Sequence, residues 1–305
     1  MSDRKLFIRD IILDLQELEK QGFSNSYAVK ENIKFFESAK NIFSYAAWLF
    51  LCAPFIERER LLELSDFPFS RWDEDLHAKL NRIERRAFPD LLRPLRRALV
   101  HHISHRKISI VMDLGSGAME IERHVILELL KKKYHHKFVI IGLDRSVAAH
   151  RRARRNLKSL EGYIDIVEVE NLDYQRLQSF IENIGNKHLI ILCKNDIFKL
   201  ENFFPRQSID LIYYSKFRHH LTEDQKLSLD SITIKLAASV MEYDDYKSWP
   251  LLIPQSITAW KYPVLLNGAI FSRLRDPSKK ELKKISREWR VQFYGIGSYL
   301  KTHQN

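Results

Sequence analysis

A chain of 305 residues, 45% hydrophobic and 29% charged, is ordinary globular material, long enough for two domains or for one large domain with a cap. Fifty Lys and Arg against 39 Asp and Glu give a formal charge of +11, which favours anionic partners without selecting among nucleic acid, acidic lipid and phosphorylated small molecules. The two cysteines, Cys52 and Cys193, lie in apolar runs and form no CxxC pair, so a cysteine zinc site is not expected and both read as buried, reduced thiols.

The N-terminus lacks the unbroken apolar region of a signal peptide, and Tyr45 to Ile56, interrupted by Pro54, is too short to span a bilayer. A cytoplasmic chain without a membrane span is therefore expected. Residues 1–105 read as helical: Leu6, Ile8, Ile11, Ile12, Leu15 and Leu18 keep a 3.6-residue period, and Ile33 to Ile56 makes a strongly apolar second region. Leu76 to Ile103 continues the pattern, with Pro89 and Pro94 as interruptions. This segment carries Arg82, Arg85, Arg86, Arg93, Arg96, Arg97, Arg106 and Lys107. The regular apolar stripe beside them favours a solvated helix face over a phosphate-contacting one.

From Ile108 the rhythm changes. Short β-branched runs at 108–114, 138–143, 164–169, 189–193 and 209–214 read as strands, with helices at 120–134, 147–160, 174–184 and 223–243. Strands are also expected over 259–262, 264–271 and 289–300, with a short helix at 279–286. Strand–helix alternation implies right-handed crossovers. The expected fold is α/β, a doubly wound, mostly parallel seven-stranded sheet over residues 106–305, with an all-helical cap over 1–105.

In such folds ligands sit beyond the carboxyl ends of the strands, where strand order reverses. Asp113-Leu114-Gly115-Ser116-Gly117 ends the first strand, and its glycines allow positive φ and close approach of backbone to a ligand. Asp144 ends the second strand, where a carboxylate can accept from both ribose hydroxyls. A P-loop is excluded, because GxxxxGK[ST] is absent. A pyrophosphate would meet Glu120 unfavourably, which argues against a nicotinamide dinucleotide, whereas the cationic ammonium and sulfonium of S-adenosylmethionine suit Asp113 and Glu120.

Over residues 105–300 the chain resembles the class I S-adenosylmethionine-dependent methyltransferases. The resemblance rests on the Asp113-to-Met119 turn, Asp144 and Arg145 after strand two, Asn195-Asp196 after Cys193, and the run from Ser208 to Leu221. It implies S-adenosylmethionine as cofactor, held by Asp113, Gly115, Ser116, Gly117, Asp144, Arg145, Asn195, Asp196 and Ser215. An alternative alignment puts Asp173 beside the adenine instead of Asp196. Met119 stands where the family's third glycine is common, and an added segment spans about 161–186. His219 and His220, at the mouth of the 209–214 strand, are the candidate base or acceptor-orienting groups, with Thr222 as the N-cap of the helix that follows. Trp48, Phe50, Phe55 and Trp72 read as core, with an acceptor pocket as the other reading. The expected function is in-line methyl transfer to a small-molecule acceptor. The alternatives are an RNA methyltransferase and a non-catalytic binding protein with a degenerate form of the fold.

Overall fold

The computed structural model describes residues 92–106, 110–247, 276–285, 289–294 and 298–304, with isolated positions at 12–37, Ile270 and Leu274. The chain divides into two compact units, 1–89 with 245–279, and 90–244 with 280–305. In the first unit the described positions between 12 and 37 are helical, as expected. Trp48, Phe50, Cys52, Phe55, Trp72 and the strand expected at 259–262 lie outside the described residues. Ile270 is helical, against the strand expected over 264–271, and so is Leu274 beyond it.

The second unit runs α1 (Arg93–Arg106), β1 (Ile110–Leu114), α2 (Glu120–Lys131), β2 (Val139–Leu143), α3 (Val147–Leu157), β3 (Ile164–Val169), α4 (Tyr174–Glu182), β4 (His188–Cys193), β5 (Ile209–Ser215), α5 (Glu223–Leu236), β6 (Ala237–Asp245), α6 (Lys279–Lys283), β7 (Trp289–Tyr294) and β8 (Ser298–Gln304). The first residues of α1 settle the role of Pro94. It occupies the first turn of α1, where its missing N–H has no helical partner to lose, so it starts the helix and does not interrupt one.

The strands form one sheet in the order β3-β4-β2-β1-β5-β6-β8-β7. Pairing is parallel between β3 and β4, β4 and β2, β2 and β1, β1 and β5, and β5 and β6, and antiparallel between β7 and β8. Strand order reverses between β1 and β5, which puts the crevice at the ends of β1, β2 and β5. The central strands read as continuous apolar runs because both faces are covered. One face packs on α1, α2 and α3 through Leu95, Leu99, Val125, Leu129, Ala153 and Leu157. The other packs on α4 and α5 through Leu177, Leu229, Ile232 and Leu236.

Three expectations are corrected. The sheet has eight strands among the described residues and not seven, with the expected strand β3 on its edge and the expected helix α4 after it. The helix expected over 223–243 ends at Leu236 and gives way to β6. Eight of the nine β6 residues are buried, so that strand shows no alternation by which its period could be read. The single strand expected over 289–300 is a pair, with Tyr294 opposite Ser298.

Candidate functional site

The turn after β1 is built by its backbone. Gly115 and Gly117 have φ of 76° and 52°, and Met119, the N-cap of α2, is also left-handed at φ 52°, ψ 39°. Met119 thus keeps the conformation in which a third glycine would be at ease, and its fully buried side chain packs under the turn, its Sδ over Gly142 of β2. A side chain on Gly142 would strike Ser116 Oγ and Met119 Sδ, so that glycine makes room for the turn. A Cβ on Gly115 would meet the Phe217 ring at 2.7 Å, whereas a Cβ on Gly117 would meet open space. The turn is therefore closed by Phe217 at Gly115 and open at Gly117.

β2 holds this turn from the side. The Gly115 and Ser116 N–H groups donate to the Leu143 carbonyl at 2.9 and 3.0 Å. The Gly117 N–H donates to Asp144 Oδ2 at 2.9 Å, and the Ser146 N–H donates to Asp144 Oδ1 at 2.8 Å. Each carboxylate oxygen keeps a second lone pair for a further donor. Ser146 caps α3 by accepting from the Ala149 N–H, so the α2 and α3 N-termini both approach this crevice. Arg145 is exposed between them.

Asp113, in β1, is buried against Glu122 of α2 and Tyr213 of β5, and the Tyr213 hydroxyl donates to Glu122. Burial, then the Glu122 charge, holds the Asp113 carboxyl protonated well above the usual carboxylate range. Asp113 Oδ1 and Ser116 Oγ are buried with no hydrogen-bond partner among the described residues.

β4, not β3, is the neighbour of β2, and the Asp144 N–H donates to the Cys193 carbonyl at 3.1 Å. Asn195 and Asp196 therefore lie one strand from Asp144, and Asp173, which follows edge strand β3, lies two strands away. Asn195 is buried with both ends of its amide on Leu172, accepting from the N–H at 2.7 Å and donating to the carbonyl at 2.9 Å. Asp196 is half-exposed and caps the 3-10 helix Ile197–Asn202 through the Phe198 N–H, while Asp173 caps α4 through the Arg176 N–H.

On the other side of β1, β5 ends at the partly buried Ser215, followed by Lys216 at φ 53° and the 3-10 turn Arg218–His220. His219 is buried, with Nδ1 3.0 and 3.2 Å from the two carboxylate oxygens of Asp244 on β6. The His220 ring lies beside it, tilted by 44°, with ring centroids 4.1 Å apart. Thr222 caps α5 as expected, in a reciprocal box with Gln225. Asp244 escaped the sequence reading because the helix expected over 223–243 hid the strand that carries it.

Behind His219 lies a charge network that the sequence did not reveal. Glu242 of β6, fully buried, accepts from Tyr299 and Lys301 of β8 and from Tyr214 of β5 at 3.2 Å. Asp230 of α5 binds Arg218 at 2.5 and 2.9 Å and stands 3.5 Å from Lys301, whose ammonium lies 3.7 Å over the Trp289 ring. Burial opposes charge on Glu242, but Lys301 and Arg218 hold its carboxyl below the usual range. Tyr214 is fully buried and belongs to this network.

No family model and no curated protein matches the sequence. Solved structures do match in shape. An O-methyltransferase family protein from Burkholderia thailandensis superposes with a TM-score of 0.51 at 10% identity, over 92% of this chain and 73% of that one. The plantazolicin methyltransferase BpumL in complex with SAH gives 0.48 at 12% identity, over 87% and 99%. The methyltransferase domain of bacterial CtHen1 gives 0.44 at 15% identity, over 70% and 100%. The chain has the class I methyltransferase fold. Among the described residues no helix is long and apolar enough to cross a membrane.

Proposed function

We propose that the protein is an S-adenosylmethionine-dependent methyltransferase. One observation carries the reading. At the sheet's switch point, a turn open at Gly117 carries two buried acceptors without partners, Asp113 Oδ1 and Ser116 Oγ, and is tied to the acid that ends β2. That donor and acceptor set suits a ligand with a cationic amino acid end and a ribose.

In this reading Asp113 and Ser116 accept from the ammonium, the Gly115–Gly117 backbone lies along the amino acid chain, and Asp144 accepts from the ribose hydroxyls. Asp196 borders the adenine in preference to Asp173, since its strand is the one beside β2. Arg145 and Ser215 flank the two sides of the crevice, and Asn195 shapes its wall through Leu172. When bound, the cofactor supplies a methyl group already activated by its sulfonium, so the protein's work is to align the acceptor and exclude water. His219 is the group we assign to the acceptor. With Nδ1–H donating to Asp244, its Nε2 carries the lone pair that can take or hold an acceptor proton.

Calorimetric titration with S-adenosylhomocysteine tests the reading. Binding in the micromolar range, weakened by Gly117→Val, is the expected result, and heat no greater than dilution at millimolar ligand would overturn it.

A further inference from the structure

The chain's positive charge is not spread over the molecule. Residues 93–158 contain sixteen Lys or Arg and five Asp or Glu, a surplus equal to the +11 of the whole chain, and the rest is balanced. The fold gathers this window into one layer, because α1 packs on α2 and α2 on α3 over one face of the sheet. Two of its five acids, Asp113 and Glu122, are buried under that layer, and a third, Asp144, is tied to the turn.

α3 shows what the layer presents. Arg151, Arg154, Arg155 and Lys158 recur at i, i+3, i+4 and i+7, and all four are exposed. Glu168 of β3 pairs with Arg154 at 3.0 Å. A face that merely meets water gains by alternating its signs, whereas like charges at these spacings each cost about 0.2–0.5 kcal/mol. Arg93 and Arg97 form a second exposed pair on α1. The α3 stripe covers about 10 Å of helix axis, over which one nucleic-acid strand carries about three phosphates. Five residues beyond Lys158 in the chain stands Tyr163, an aromatic side chain that is 56% exposed. An interfacial membrane helix would need an outward apolar stripe, but of the apolar residues of α3 only Val147 is exposed, while Ala148, Ala149, Ala153 and Leu157 are buried.

We propose that the outer surface of α1, α2 and α3 binds the phosphodiester backbone of a single-stranded nucleic acid, with Tyr163 stacking on a base. The contact is electrostatic and aromatic and does not depend on methyl transfer. A further step, resting on the methyltransferase reading, follows from the stripe's position. It starts at Arg151, about one turn beyond the α3 N-terminus that faces the crevice, so a strand held there can offer a nucleotide to the site.

The test is fluorescence anisotropy of the full chain with labelled 20-nucleotide RNA, the same sequence as DNA, its duplex, and vesicles of mixed neutral and acidic lipid. Single strands bind near micromolar at 50 mM KCl, and three phosphate contacts make that affinity fall about 20-fold by 200 mM. The triple variant Arg151→Gln, Arg155→Gln, Lys158→Gln, which relieves repulsion on an exposed face and so keeps the fold, binds at least tenfold more weakly with a shallower salt dependence. Tyr163→Ala loses about tenfold with the salt dependence unchanged. Equal binding by the triple variant, or binding to vesicles but not to oligonucleotides, would overturn the proposal, and the RNA and DNA arms say which sugar is preferred. S-adenosylhomocysteine titrated into the same variants gives unaltered heats if the two readings are independent. No heat with the native chain would sink the methyltransferase reading and leave this one standing.

Discussion

The Asp144 carboxylate receives the Gly117 N–H at 2.9 Å, so the acid that ends β2 holds the turn that ends β1. Its other oxygen receives the Ser146 N–H. Asp144 therefore shapes the crevice before any ligand arrives. Asp144→Ala should lose both hydrogen bonds and the ribose acceptor together. The expected cost is about 1–3 kcal/mol in urea unfolding, with at least tenfold weaker binding of S-adenosylhomocysteine by calorimetry. A variant that loses affinity without losing stability would show that the tie to Gly117 contributes nothing to the fold.

Met119 sets two effects against each other. A left-handed backbone costs a residue with a side chain roughly 1–3 kcal/mol, while deleting a buried Met side chain costs about 2–5 kcal/mol. Met119→Gly removes the strain along with the packing, and Met119→Ala removes the packing alone. Both variants should be less stable than the native chain, and alanine the worse of the two. The order of the two urea midpoints is the measurement; glycine below alanine would contradict the strain.

Asp113 makes a prediction in pH. Its carboxyl keeps a proton in the folded chain at pH values where the unfolded chain has lost it, chiefly through burial and then through Glu122. The folded state thus binds more protons, and stability falls as pH rises above the ordinary carboxylate value. Asp113→Asn cannot ionise, so its stability relative to the native chain should grow as pH goes from 4 towards 8. Unfolding curves at four pH values decide the point, and a constant offset would remove the protonated Asp113. On the proposed reading, a cationic ligand beside this carboxyl draws the proton off, so binding heats should vary with the buffer's ionisation enthalpy.

His219 and Asp244 predict a division of labour. His219→Ala should lower kcat about 10²- to 10⁴-fold with S-adenosylhomocysteine affinity kept. Asp244→Asn should keep the ring in place, but its amide can donate to Nδ1 and move the ring proton to Nε2, so kcat should fall at least tenfold with S-adenosylhomocysteine affinity kept. An unchanged kcat would reduce Asp244 to a structural contact.

Lys301 joins Glu242 and Asp230 inside the sheet. Lys301→Met leaves Glu242 buried with one fewer cation, at a cost of about 3–5 kcal/mol. The Glu242 carboxyl is held low in the folded state, and that contribution is present above the ordinary glutamate value and lost as pH falls through the folded one. The variant's deficit against the native chain should therefore shrink in acid, which unfolding at pH 4 and 7 would reveal.

Most strands and the turn at Gly115–Gly117 were legible in the sequence, because a β-branched run ending in acid and glycine has few other uses. β6 was not, since a strand covered on both faces carries no alternation, and Leu236-Ala237-Ala238 continues a helical run smoothly. That misreading hid Asp244 and Glu242. Asp144 was found for its position, but the bonds it makes to Gly117 and Ser146 belong to tertiary geometry. Asn195 was chosen as a ligand contact, and its amide engages Leu172, which no pattern of spacing could announce. The crowding of basic residues was plain; that three helices would lay them side by side was not.

The edge strand β3 has a last effect on the crevice. Without it β4 would be the border of the sheet, and the loop carrying Asn195 and Asp196 would hang from a strand free on one side. With β3 in place, β4 is paired along both sides, and the Asn195 amide latches the loop to the segment entering α4. Fraying is displaced one strand outward. Hydrogen exchange should record this as slow amides along β4, opening only with the whole unit, beside faster ones on the outer side of β3.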